Sequence, residues 1–105
     1  MEAKLIWSEL TKDADGFPEE KDTSIDVFVE EKEIKRSEFY ESMRSGVKVT
    51  KVLELRIEDY ELSAHRDSSG RKQYASKIEV DGEVFSIIRT YKTGKSKIEL
   101  VCGDE

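Results

Sequence analysis

Apolar and polar residues alternate along most of this chain, and the alternation predicts strands. In residues 3–10, AKLIWSEL, Leu5 and Trp7 fall on one side and Ile6 and Ser8 on the other. Residues 25–34, IDVFVEEKEI, set Ile25, Val27 and Val29 against Asp26, Phe28 and Glu30 and predict a second strand. The clearest run is 47–59. There Val47, Val49, Leu53, Leu55 and Ile57 share a face opposite Lys48, Thr50, Glu54, Arg56 and Glu58. After Asp59 the apolar phase shifts to Tyr60, Leu62 and Ala64, which implies the bulge or bend that curls a sheet.

The carboxyl-terminal third carries the strongest hairpin signal. Asp81-Gly82 sits between two alternating runs, and a type I′ turn needs positive φ at both central positions. That turn pairs Ile78 with Phe85 and Ser76 with Ile87. A second turn at Thr93-Gly94 would pair Arg89 with Ile98, Ile87 with Leu100 and Phe85 with Cys102. Both turns place Phe85, Ile87, Ile78, Leu100 and Cys102 on one inner face. A register slip of one residue in the second would invert the last strand.

Between the strands lie three segments of different character. Residues 11–24 are acidic and hold the only proline, so they read as a long loop or an extended hairpin tip. Residues 34–46 read as a short helix. Ser37 is its cap, Glu38 and Glu41 suit its positive end, Arg44 suits the other end, and Gly46 closes it. About two turns cannot hold themselves in water, so Phe39, Tyr40 and Met43 must pack against something. Residues 66–72, RDSSGRK, read as a polar loop. No repeat or low-complexity tract interrupts the pattern. The expected architecture is one domain, 1–105, mainly β: a small antiparallel barrel of about six strands with one short helix.

Composition narrows the function. With 40% charged and 36% hydrophobic residues, the core is thin, or partners share the burial. A net charge of −6 argues against wrapping DNA through its phosphates. Cys102 is the sole cysteine, so no internal disulfide points to secretion. MEAKLIWSEL has neither a basic leader nor a long apolar run, and the expectation is a cytosolic protein without a membrane span.

Catalytic signals are weak. Asp13-Ala14-Asp15-Gly16 resembles the start of a calcium loop, but the twelfth position is Ser24 rather than Glu, and a turn explains the residues better. His65, the only histidine, begins a polar loop with no nucleophile indicated beside it. Cys102 reads as a small buried hydrophobe. Acidic neighbours such as Glu19–Glu20 and Glu30–Glu31 point to opposite faces of a strand, which makes poor acid–base dyads. Arg89 falls on the predicted inner face, so its guanidinium either emerges at a rim or meets an anion on a neighbour. No enzyme, cofactor or metal is expected.

The order of these pieces resembles a known family. DGFPEE leads into VFVEEKEI, then KRSEFYES and a long strand, and finally IEVDGEVFSIIRTYKTGKSKIELVC. This succession is similar to the head–tail joining proteins of long-tailed phages and prophages, of head-closure or stopper type. The resemblance spans nearly the whole chain, with the polar stretch RDSSGRKQ as an insertion before the last hairpin. It implies a β-barrel without catalytic activity. Copies would form a ring, dodecameric in the family, below the portal and adaptor. DNA would be present only as the contents of the channel, and the tail would dock from the other side. It implies assembly in the bacterial host cytoplasm and a final place at the head–tail interface of the virion. Partner contacts would then fall on Asp15 and Phe17 in the long loop, on Glu38, Phe39, Tyr40, Met43 and Arg44 in the helical segment, and on Arg89. An acidic protein-binding or DNA-mimicking module is the alternative, opposed by Lys48, Arg56 and Lys77 among the acids.

Overall fold

A computed structural model describes residues 1–35, 44, 46, 48–67 and 69–104. The alternating runs become strands: β1 (Glu2–Lys12), β2 (Pro18–Phe28), β3 (Glu30–Lys32), β4 (Val49–Arg56), β5 (His65–Arg66), β6 (Lys72–Gln73), β7 (Lys77–Val80), β8 (Glu83–Lys92) and β9 (Lys97–Asp104). One short helix, α1 (Ile57–Glu61), follows β4. Seven strands form one antiparallel sheet in the order β2-β1-β7-β8-β9-β4-β3, and β5 pairs with β6 apart from it.

The two edge strands are consecutive in sequence, and one residue, Val29, joins them. The sheet therefore curls. A flat sheet of seven strands would hold its edges roughly 29 Å apart. Instead Val27 of β2, Val29, and Leu53 and Leu55 of β4 lie in one core with Leu5, Ile78 and Leu100. Val29 also exchanges backbone hydrogen bonds with Met1 at 2.8 Å each. No ladder joins β2 to β3 among the described residues.

The Asp81-Gly82 turn forms as the sequence predicts. Asp81 has φ +52 and Gly82 φ +80, and Ile78 pairs with Phe85. Ile87 also donates its backbone N–H to the Ser76 carbonyl. The second turn is longer than Thr93-Gly94. Thr93 donates to Lys97, Lys92 pairs with Ile98, and Ile87 pairs with Cys102 rather than Leu100. Around Ile87 and Phe85 the register moves by two residues, so Phe85, Ile87 and Cys102 keep their common face.

Two β-bulges flank β9 at nearly one level and correct two expectations. In β4 the register shifts between Val49 and Lys51. Val49 consequently joins Val52 on the face opposite Leu53, and both pack with Val101, Ile34 and Ile88 on the outer face. In β8 the shift lies between Ile87 and Arg89, which sets Arg89 opposite Val101. Directly paired residues share a face, so Arg89 belongs to the outer side and not to the main core. Gly103 sits between the bulges. A Cβ there would lie 2.7 Å from the Lys48 carbonyl oxygen and 2.8 Å from Ile88 Cδ1. This position needs a glycine for room.

Other expectations change as well. The phase shift after Asp59 is a helix rather than a bulge: Ile57 and Tyr60, three apart, turn toward the core, and Leu62 is exposed. Ser63 ties this helix down, its hydroxyl donating to the Tyr60 carbonyl and accepting from Ala75 N–H at 2.7 and 2.9 Å. The polar stretch 66–72 is a minimal hairpin closed by Asp67, whose Oδ1 accepts from the backbone of Ser69 and Arg71. Those bonds, with the Ser69 hydroxyl foremost, hold the Asp67 carboxyl below the ordinary range. The helix expected over 34–46 lies outside the described residues except for Ile34, Lys35, Arg44 and Gly46. Gly46 has φ +77, the left-handed conformation expected of it.

Candidate functional site

The feature that stands clear of the core is the β1–β2 hairpin. β1 pairs with β7 only over Ala3–Ile6. Beyond that it pairs with β2 alone, from Trp7 opposite Thr23 to Lys12 opposite Pro18. Residues 11–24 are thus two strands and a tight tip, so the extended-hairpin expectation holds and the long loop does not. The tip is built by Asp13. Its Oδ1 accepts from the backbone N–H of Asp15 and Phe17, both at 2.9 Å, while Gly16 at φ +83 completes the turn. That carboxylate is occupied in holding its own backbone.

This ribbon has a definite chemistry. Phe17 is 66% exposed and Leu10 49% exposed, although both are large apolar side chains. From Glu9 to Asp22 there are six acidic residues and two lysines. Asp15 and Phe17 share the tip. Arg89 lies in β8, half-buried on the outer face. Arg44 is exposed, and Glu38, Phe39, Tyr40 and Met43 lie outside the described residues.

At the base of the ribbon Trp7 is fixed on both sides. Its Nε1 donates to Glu9 Oε1 at 2.8 Å, and its ring stacks on His65 at 5.7 Å between centroids, 11° between planes. His65 Nδ1 lies 2.8 Å from the Ser63 carbonyl oxygen. A carbonyl can only accept, so this contact requires the proton on Nδ1. His65, expected to begin a polar loop, is therefore a half-buried packing residue. Tyr60 and Tyr74 form a second stack at 5.2 Å, and burial raises the Tyr60 hydroxyl above its usual value.

Near the opposite edge, Lys51 Nζ lies 2.7 Å from Glu31 of β3 and 5.6 Å from the centre of the Phe85 ring. The hydrogen bond that Lys51 donates to Glu31 raises its pKa. Cys102 is fully buried, and desolvation pushes its thiol up to about 12. A thiol in that state is not a nucleophile at neutral pH. Among the described residues no group of three or more His, Cys, Asp or Glu is placed to hold a metal ion. No described helix is long and apolar enough to cross a membrane.

Sequence reasoning passed over Leu10 and the lysines of the β8–β9 turn. Leu10 ends the first alternating run, on the mixed face that also carries Ile6 and Ser8, and nothing there marks it as exposed. The turn was taken as two residues, which hid the length of its basic tip. No family model, curated protein or solved structure matched this chain.

Proposed function

We propose that this chain is a structural connector, of the head-closure type found between the head and tail of long-tailed phages. It performs no catalysis. Copies assemble as a ring below the portal and adaptor, retain the packaged DNA and receive the tail. Two things support the reading. One is the resemblance carried by the order of DGFPEE, VFVEEKEI, KRSEFYES and the final hairpin. The other is the ribbon. A two-stranded arm with exposed Phe17 and Leu10 is marginal alone in water, and it gains burial only against a neighbour. The curl that brings the edge strands β2 and β3 together at Val29 supports a barrel-like sheet, with no ladder between those edges among the described residues.

Interleaved charge opposes the DNA-mimic alternative. Lys4 reaches Asp26, Lys32 reaches Glu30 and Glu54, and Lys51 reaches Glu31, so acids do not form an unbroken stripe there. The test is co-elution. Mixed with a purified phage portal–adaptor complex, the protein should leave its free position on size exclusion and elute with the complex in several copies. Continued elution as the free chain at excess complex would overturn the reading.

A further inference from the structure

We infer that neighbouring copies of this chain join head-to-tail, the acidic β1–β2 ribbon of one molecule lying against the basic β8–β9 turn of the next. The inference deepens the ring reading above and rests on it, by naming the surfaces that make the ring. β1 and β8 are both antiparallel to β7, so they run the same way and their hairpins leave the sheet at the same end. β7 spans only Lys77–Val80 and pairs with β1 and β8 only near its own level, so it does not tie their outer ends together. The right-handed twist of the sheet carries the two hairpins apart.

Their chemistries are opposite. The ribbon bears six acids against two lysines between Glu9 and Asp22. The β8–β9 turn carries Lys92, Lys95 and Lys97, all exposed, and no acid lies anywhere from Val84 to Ile98. None of these three lysines enters an ion pair among the described residues. Each hairpin also exposes an apolar anchor: Phe17 and Leu10 on one, Tyr91, 47% exposed, on the other. Like hairpins repel and unlike hairpins attract. Repeated head-to-tail, a contact between two different surfaces generates a ring when its rotation closes, as the ring reading requires.

Two charge reversals test the contact with the whole chain. One variant carries Glu19→Lys, Glu20→Lys and Asp22→Lys; the other carries Lys92→Glu, Lys95→Glu and Lys97→Glu. All six positions are exposed, and circular dichroism checks that each variant folds. Sedimentation is followed up to about 1 mM protein, enough to populate a millimolar contact. The wild type should self-associate at about 0.01 M salt and dissociate at about 1 M. Each variant alone should lose self-association. An equimolar mixture should recover it, because every ribbon then meets a turn of opposite sign. Unchanged association in either variant, no recovery on mixing, or a wild type that stays monomeric at low salt would overturn the contact. The two proposals fail separately. Charge-swap rescue without portal binding removes the connector reading and leaves this contact. Complete rings of either variant on the portal–adaptor complex remove this contact and leave the connector.

Discussion

Gly103 is a residue whose absent side chain decides the local structure. A methyl group would meet the Lys48 carbonyl, which is backbone, and the Ile88 side chain, which is wedged into the outer cluster. Gly103→Ala should therefore destabilise the fold by about 1–3 kcal/mol, read from urea unfolding. An unchanged midpoint would mean the two bulges are not locked as described. Cys102 supplies a second test. Its thiol, held protonated by burial, should resist alkylation in the native protein at pH 8 and react only on unfolding. The same burial has a pH consequence. The folded chain keeps the proton up to about 12, whereas the unfolded thiol loses it above its ordinary 9.0. Stability from this group is thus complete below 9.0 and declines as pH rises toward 12. The slope is at most about 1.4 kcal/mol per pH unit. Tyr60, raised by burial, adds the same sign above 10.0. Cys102→Ala should flatten the alkaline limb between those values; an equally steep limb would contradict the assignment.

The ribbon and the sheet should separate experimentally at the level of elements. Outer residues of β1 and β2 pair only with each other. Replacing residues 11–19 with an Asn-Gly turn should leave the far-ultraviolet spectrum β-rich and the melting temperature within a few degrees, as usual for surface changes. The same variant should fail to join a ring. Loss of folding would show that the arm belongs to the core after all. Much of this scale was legible in the sequence. Leu5 and Trp7, Val27 and Val29, and the Asp81-Gly82 turn follow from period-two patterning and from which residues accept positive φ. The bulges were not legible. Each adds one residue to a strand, and nothing in Thr50 or Ile88 marks it; only the fixed partner strand β9 reveals the shift. Arg89 was therefore placed on the wrong face. The helix at Ile57 was mistaken for a bend because five residues offer too little periodicity to separate the two. Of the candidate contacts, Asp15 and Phe17 were readable because a Gly-containing acidic turn has to be exposed. The lysines of the other tip were missed through the turn length.

At the scale of the whole molecule, the curled sheet presents two unlike arms at one end and a net charge of −6. The proposed ring would cover the apolar side chains exposed on the two arms, Leu10, Phe17 and Tyr91. Ring contacts of this electrostatic kind weaken with salt. Loading onto a portal–adaptor complex should accordingly be slower at high ionic strength, and stopped-flow light scattering would register the difference. The role proposed for this chain is that of a ring component in a phage connector. Cryo-electron microscopy of the protein added to a purified phage portal–adaptor complex is the decisive measurement. An additional ring of density, with an elongated two-stranded arm bridging each pair of subunits, is the expected result. A portal–adaptor complex with no added density at saturating protein would contradict it.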